Sequence, residues 1–385
     1  MNRERELALI QQCLDASQNK TTTTGPQSSL DRERYTSPQR FADVQQAVLK
    51  KVPSAWVHSS EIAEPNSYKR VQTPLGDVVV TRDSQGQAHS FYNSCRHRGS
   101  QLVTNDSGCQ QRLVCPYHAW SYGCDGRLAG VPGEASCFPD LDKSQLGLIA
   151  IPCVEKYGLI WLCPDVATNA NAEQRLDGYL GAMTEDLAWL NIGELHAYRS
   201  FTKTWRANWK VLAEGGMESY HFTVAHKQTI APFFLNNTAV IDQINGHFRT
   251  TLPTKALALA ASQAPEQQSI RAVSHISYNL IASCGLLVQD NHIDWIRALA
   301  ISPNETVMTI TSLIPNDPAN LSDPEQAHWD KNLKITETVL DEDFVIGEGI
   351  QRSFDSGALQ SVHTGQPEWA LKAFNDEIDR LMSAG

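Results

Sequence analysis

The chain has 385 residues, 41% of them apolar, with 32 basic against 43 acidic side chains and a net charge of −11. That length suits two domains or one large one, with enough apolar content for a sizeable core. The acidic balance argues against nucleic acid or an anionic membrane surface as the main partner.

Charged and aliphatic residues alternate over residues 1–15, which predicts a helix. Residues 16–30 are polar and low in complexity, so a mobile loop is expected there. Helical spacing returns over 38–51, with Phe41, Val44, Ala47 and Val48 on one face. From about 55 to 165 the signals are β. Val78–Val80 and Phe91–Tyr92 flank a turn at Gly86, and Trp120–Tyr122 runs into the turn pair Asp125–Gly126. The stretches 148–154 and 159–162 flank another turn. Many short strands of this kind predict a small barrel or sandwich. Residues 168–175 read as a polar linker. Beyond them, 208–225 reads as a helix, 275–315 as antiparallel strands, and 325–345 and 368–382 as helices. A second, α+β domain is expected.

No apolar stretch approaches the ~20 residues that a bilayer requires. The first residues lack the long apolar core of a signal peptide, so a cytoplasmic protein is expected. A disulfide framework is not expected among the nine cysteines. Cys13, Cys109, Cys124, Cys137, Cys153, Cys163 and Cys284 have no close histidine partner and read as ordinary thiols.

Cys95 and Cys115 differ. Cys95-Arg96-His97 is followed, after seventeen residues, by Cys115-Pro116-Tyr117-His118. Each short segment offers one thiolate and one imidazole. Zinc would accept these donors, but zinc spacings usually pair cysteine with cysteine and histidine with histidine. A [2Fe–2S] cluster of the Rieske type explains the mixing. One of its irons takes two thiolates and the other two imidazoles.

These segments, Cys-Arg-His-Arg-Gly and Cys-Pro-Tyr-His-Ala-Trp, resemble the Rieske non-heme iron oxygenase family. Respiratory Rieske proteins usually carry an extra cysteine soon after each histidine. Here Arg98-Gly99 and Ala119-Trp120 stand instead. Ala119 occupies a position where the family more often has glycine.

A second constellation runs from Asn208-Trp209-Lys210 through Glu218 to His221 and His226. Two histidines and a distant carboxylate form the facial triad of non-heme Fe(II) oxygenases. Residues five apart cannot share one face of a regular helix, so the helix should distort or end near 224–226. Glu218 lies three residues before His221, within reach of that ligand in a helix. Asp341-Glu342-Asp343, followed by Glu348 and Gln351, is similar to the family's C-terminal acidic segment. On that register Asp343 is the third ligand, with Asp341 the next choice. The resemblance also makes Glu218 the acid that bridges to a cluster histidine of a neighbouring subunit. Gly215-Gly216 departs from the Asn-Phe often found there.

The resemblance implies a Rieske all-β domain (38–165) joined to a helix-grip catalytic domain (166–385), with 1–37 packing on the latter. It implies a mono- or dioxygenase fed by a separate NAD(P)H-dependent reductase or ferredoxin, and a homotrimer. It also implies O2 and a small aromatic or quaternary ammonium substrate, with Glu218 tilting towards the second. A Rieske electron carrier without substrate chemistry is the alternative. His58, His89, His196, His247, His275, His292, His328 and His363 read as structural or surface residues. Phe222, Phe233 and Phe234 are candidates for a substrate cavity, although ordinary core packing fits them equally.

Overall fold

A computed structural model describes residues 1–384. The chain forms two compact units, one of residues 50–179 and one of 1–49 with 180–385. The helical stretch expected at the start of the β domain instead packs with the other unit. It is a helix, Pro38–Val44, that continues as a π turn, Gln45–Leu49, and packs against the C-terminal helix Trp369–Ala384.

The 50–179 unit is a set of short antiparallel strands. One sheet pairs Ser67–Thr73 with Gly76–Arg82, which pairs in turn with Ala88–Tyr92. A three-stranded sheet joins Arg112–Val114, Ser121–Gly123 and Leu128–Gly130. Its last hairpin turns at Gly126, where φ is +81° and glycine avoids the left-handed penalty. The core between the sheets includes Val79, Phe91, Leu113, Trp120 and Tyr122. The expected linker at 168–175 is not a loop. Asn169–Leu180 is a helix that buries Ala172, Leu176 and Tyr179. Three apolar residues at helical spacing outweighed the polar composition of the opposite face.

The other unit is built on a seven-stranded antiparallel sheet. Its order is His196–Trp205, Glu305–Ile314, Ile293–Ser302, Cys284–Val288, Ser274–Leu280, His247–Pro253 and Val240–Ile244. The 33-residue helix Asp323–Asp355 lies against it, started by a Ser322–Glu325 capping box. Phe344 of this helix and Leu212 pack with Trp205, Met308 and Ile310 of the sheet. Gly347 lets the helix approach closely, because a Cβ there would stand 3.0 Å from Leu212. The N-terminal helix runs from Arg3 to Asn19. The stretch expected as a mobile loop therefore begins helical, and it ends in a strand, Ser28–Asp31, paired with Ser361–Thr364. No helix among the described residues is long and apolar enough to cross a membrane.

Candidate metal centres and substrate cavity

Cys95 and Cys115 each begin a tight turn. Cys95 N–H donates to Ser100 O and Gly99 N–H returns to Cys95 O, at 2.8 and 2.9 Å. Cys115 N–H donates to Trp120 O and Ala119 N–H returns to Cys115 O, at 2.8 and 3.0 Å. Both turns need a left-handed residue. Gly99 has φ +77° and Ala119 has φ +56°. That accounts for the family's usual glycine at the second position, since an alanine there is strained.

The two thiols are buried and close enough to perturb one another. Tyr122 Oη lies 3.3 Å from Cys95 Sγ and accepts the Arg96 N–H at 3.0 Å. The His97 and His118 rings stand 4.7 Å apart, and His97 stacks on Trp120 at 4.9 Å. His118 is exposed. Among the described residues, only His221, His226 and Asp343 bring three donors of this kind within 4.8 Å of one another. Two thiols and two imidazoles brought together by two turns suit a two-iron cluster, in which one iron takes the thiolates and the other the imidazoles.

The His221–His226 stretch is not the single helix expected over 208–225. A helix covers Trp209–Glu214, a 3-10 turn covers Gly215–Met217, and Glu218 is extended at φ −148°. A short helix, Phe222–Ala225, follows and ends before His226. The two glycines release the helix, and the break allows both histidines to face one point. Glu218 still reaches His221, but through this turn rather than along a helix face. His221 Nδ1–H donates to Glu218 Oε1, and the Tyr220 and His221 backbone N–H groups donate to Oε2.

Asn208 anchors the segment. Its side chain caps the helix through Lys210 N–H at 3.0 Å and donates to Tyr35 O and Pro303 O. Gln351 Oε1 accepts the Asn208 N–H at 2.9 Å, and Glu348 Oε1 accepts the Arg206 N–H at 2.9 Å. The Glu and Gln that follow Asp343 thus hold the histidine segment against the long helix. Beneath it, Tyr35 Oη–H and Asn375 Nδ2–H both donate to Glu214 Oε1 at 2.8 Å. Burial pushes the Glu214 carboxyl up and the neighbouring Lys210 ammonium down.

The His221 and His226 Nε2 atoms are 3.5 and 3.0 Å from Asp343 Oδ1. Both Nε2 atoms are buried, and neither makes a hydrogen bond. His226 Nδ1–H donates to Glu342 Oε2 at 2.7 Å, which also accepts from Thr229 Oγ1–H. Burial opposes the charged form of His226, but Asp343 and Glu342 outweigh it and raise its pKa. Two imidazole Nε2 atoms and a carboxylate oxygen converge on one point, which is the donor set a divalent iron takes. Asp341 points elsewhere, onto Lys203 at 2.6–2.8 Å. Glu342, to which the sequence assigned no role, orients His226 as Glu218 orients His221. Its signal was the unbroken acidic run 341–343.

A cavity of ≈180 Å³ adjoins this trio and is lined by His226, Asp343, Phe222, Phe234, Gly215 and Gly216 among others. Phe233 does not line it and is 65% exposed. His275, expected to be structural, does. All nine cysteines are free thiols; Cys13, Cys124, Cys153 and Cys163 are buried, and Cys284 is buried where it lines the cavity.

Residues 192–384 match the ring-hydroxylating alpha subunit catalytic domain, and residues 53–154 match the Rieske [2Fe–2S] domain. The chain is 31% identical over 199 residues to the anthranilate 1,2-dioxygenase large subunit of Acinetobacter baylyi, covering 51% of this chain and 42% of that one. It is 32% identical over 193 residues to the carnitine monooxygenase oxygenase subunit of Acinetobacter baumannii, covering 50% and 51%. The matched stretch thus spans about half the length of these curated relatives. Among solved structures, the quaternary ammonium Rieske monooxygenase CntA with L-carnitine superposes at TM-score 0.77, with 20% identity over 92% of this chain and 95% of that one. Naphthalene 1,2-dioxygenase from Rhodococcus sp. superposes at 0.74, with 17% identity over 99% and 98%. The chain belongs to the ring-hydroxylating alpha-subunit family of Rieske oxygenases.

Proposed function

We propose that this chain is the oxygenase component of a multicomponent system. It takes electrons from a separate reductase or ferredoxin and uses O2 to hydroxylate or oxidatively dealkylate a small organic molecule. The observation that carries this reading is the convergence of His221, His226 and Asp343, the last two of which line a cavity. An electron carrier needs the cysteine–histidine loops but neither the trio nor the cavity, so the carrier alternative leaves half the molecule unexplained.

Cys95, His97, Cys115 and His118 hold the cluster, and His221, His226 and Asp343 hold the mononuclear iron. When bound, the [2Fe–2S] cluster supplies single electrons and the Fe(II) supplies reductive activation of oxygen. The protein groups do the positioning. Glu218 and Glu342 each accept the Nδ1–H of one histidine, which fixes both rings with their Nε2 atoms aimed inward. The cavity lining is mainly apolar beside this trio.

Glu218 is also the bridge between copies. Its oxygens retain lone pairs beyond the bonds to His221 and Tyr220, so a second imidazole, His118 of a neighbouring copy, is an acceptable donor. A head-to-tail contact of this kind closes as a ring, for which the family resemblance implies three copies. Exposed apolar residues support a covered surface beside the iron, with Tyr220 60% and Val224 81% exposed.

Iron and sulfide analysis tests the assignment, with about three irons and about two labile sulfides expected per chain. Oxygen uptake with a generic reductase should depend on an added substrate. A reconstituted protein that binds only zinc, or uptake indifferent to any organic compound, would count against the reading.

A further inference from the structure

The size and lining of the cavity constrain what the iron acts on. A cavity of about 150 Å³ admits one benzene-sized molecule. At ≈180 Å³, this one takes a single ring, or a chain of similar bulk, with a small substituent.

Its two ends differ. His226 and Asp343 lie at one, beside Phe222 and Phe234. The sheet forms the other. There His275 and Ser277 sit on alternate positions of Ser274–Leu280, so both face the same side, and Gln289 follows Cys284–Val288. A run of ring edges joins the ends, His226 to Phe222 at 5.2 Å, Phe222 to Phe234 at 5.5 Å and Phe234 to His275 at 5.0 Å.

The sheet end is polar, and the side chains that line it carry no charge, although Asp290 lies close enough to act on His275. No lysine or arginine lines the cavity. Its carboxylates, Glu218 and Asp343, are committed to His221 and His226. A charged substituent at the sheet end would therefore be desolvated without a counter-ion, which is costly for either sign. Burial pushes the His275 imidazole down to about 4, so the ring is neutral near pH 7. It offers one donor and one acceptor. Among the described residues its ring meets the edge of Phe234 and makes no hydrogen bond. Ser277 Oγ is open to the same space. A Cβ at Gly216 would stand 3.2 Å from it, so the glycine keeps this hydroxyl uncovered. Gln289 uses its Nε2 on Asp294, which leaves its carbonyl oxygen. Polar groups in a buried wall are unfavourable unless something pairs them.

We propose that the substrate is an uncharged molecule whose apolar body lies at the His226–Asp343 end and whose hydroxyl, carbonyl or amide group is hydrogen-bonded by His275 and Ser277 at the sheet end. This rests on the oxygenase reading above and narrows it. Anthranilate and carnitine, in the names of two relatives, both carry a carboxylate, for which this wall has no partner.

Four probes of similar size separate the possibilities: toluene, benzamide, benzoate and phenyltrimethylammonium. Binding is measured calorimetrically on the holoenzyme, independently of turnover. Benzamide should bind at least ~10-fold more tightly than benzoate, and His275→Leu should weaken benzamide by ~5–10-fold while leaving toluene unchanged. Gln289→Arg should bring benzoate to parity with benzamide. This is a gain that a misfolded variant cannot produce, and the visible spectrum reports the integrity of each variant. Tighter binding of benzoate or the ammonium ion than of benzamide by the wild type overturns the proposal. So does no binding of benzamide, or an equal loss of toluene and benzamide in His275→Leu. Oxygen uptake that no bound probe stimulates would count against the oxygenase reading instead, because the order of affinities is read without it.

Discussion

The two candidate metal-binding regions are built on opposite plans. In the 50–179 unit all four donors fall within residues 95–118, on two turns closed by their own backbone hydrogen bonds. In the catalytic unit two donors sit on a broken helix, and the third arrives from the long helix at Asp343. The first site is local and depends on turn geometry. The second is non-local and depends on the sheet, the Phe344–Leu212 packing and the Gln351–Asn208 tie holding the two segments together. A local site tolerates change elsewhere in the chain, whereas a non-local one fails when its supports shift.

The largest test of that contrast is removal of one donor from each site. Cys95→Ser should lose the cluster absorbance and retain the mononuclear iron, while His221→Ala should do the reverse. Both should reduce turnover to background. If iron and sulfide analysis showed that either change emptied both sites, the two plans would not be independent.

The carboxylates around the trio come next. Removing a hydrogen-bond partner of a metal-bound histidine typically costs 10–100-fold in affinity or activity, so Glu342→Gln should weaken iron binding by roughly that factor. Glu218→Gln should weaken iron binding by a similar factor and, in iron-saturated protein, slow cluster reoxidation in single-turnover mixing with oxygen and substrate. Wild-type reoxidation in this variant would remove Glu218 from the electron path. Asp341→Asn is the contrast. It breaks a part-exposed bridge to Lys203, so a stability loss under about 1 kcal/mol and unchanged iron content are expected.

The catalytic unit also carries a pH signature. Burial pushes His275 and His292 down to about 4. An unfolded chain takes up protons on these rings near pH 6.5, and the folded one does not until near pH 4. The unfolded state therefore binds more protons in that window, and stability falls as pH drops through it. The slope approaches about 1.4 kcal/mol per pH unit for each ring. Urea midpoints across this range should decline, and His292→Gln should flatten the decline. An equally steep decline in the variant would show that other groups carry it.

The smallest effect belongs to the cluster turns. Ala119 holds φ +56°. Ala119→Gly removes that strain but adds entropy to the unfolded chain, so a net gain below about 1 kcal/mol is expected. Thermal melting followed at the cluster absorbance measures it, and a loss of stability would contradict the strain argument.

Composition misled where one face of an element was hidden. Residues 168–175 read as a linker because their polar side chains dominate. Ala172 and Leu176, which bury the helix, are too few to stand out in so short a window. The stretch 208–225 read as one helix because propensity is summed along the chain. The break at Gly215–Gly216 is favoured by what it accomplishes in three dimensions, turning His221 and His226 to one point.

The sequence by itself determined the cluster loops, the histidine pair and the identity of the acidic segment. In each case the chemistry lies in side chains a few residues apart, so spacing carries the information. The family resemblance put Asp343 ahead of Asp341, but only the tertiary structure shows why that acid of 341–343 meets the histidines. Neighbouring residues on a helix point about 100° apart, and the packing of Phe344 against Leu212 and Trp205 sets the rotation of the whole run. That rotation sends Asp341 to Lys203, Glu342 to His226 Nδ1 and Asp343 to the two Nε2 atoms. It likewise took the sheet to bring His275, Ser277 and Gln289 to one wall. Strand register joins residues by pairing across the sheet, and no local pattern in the chain records which residues share a cavity.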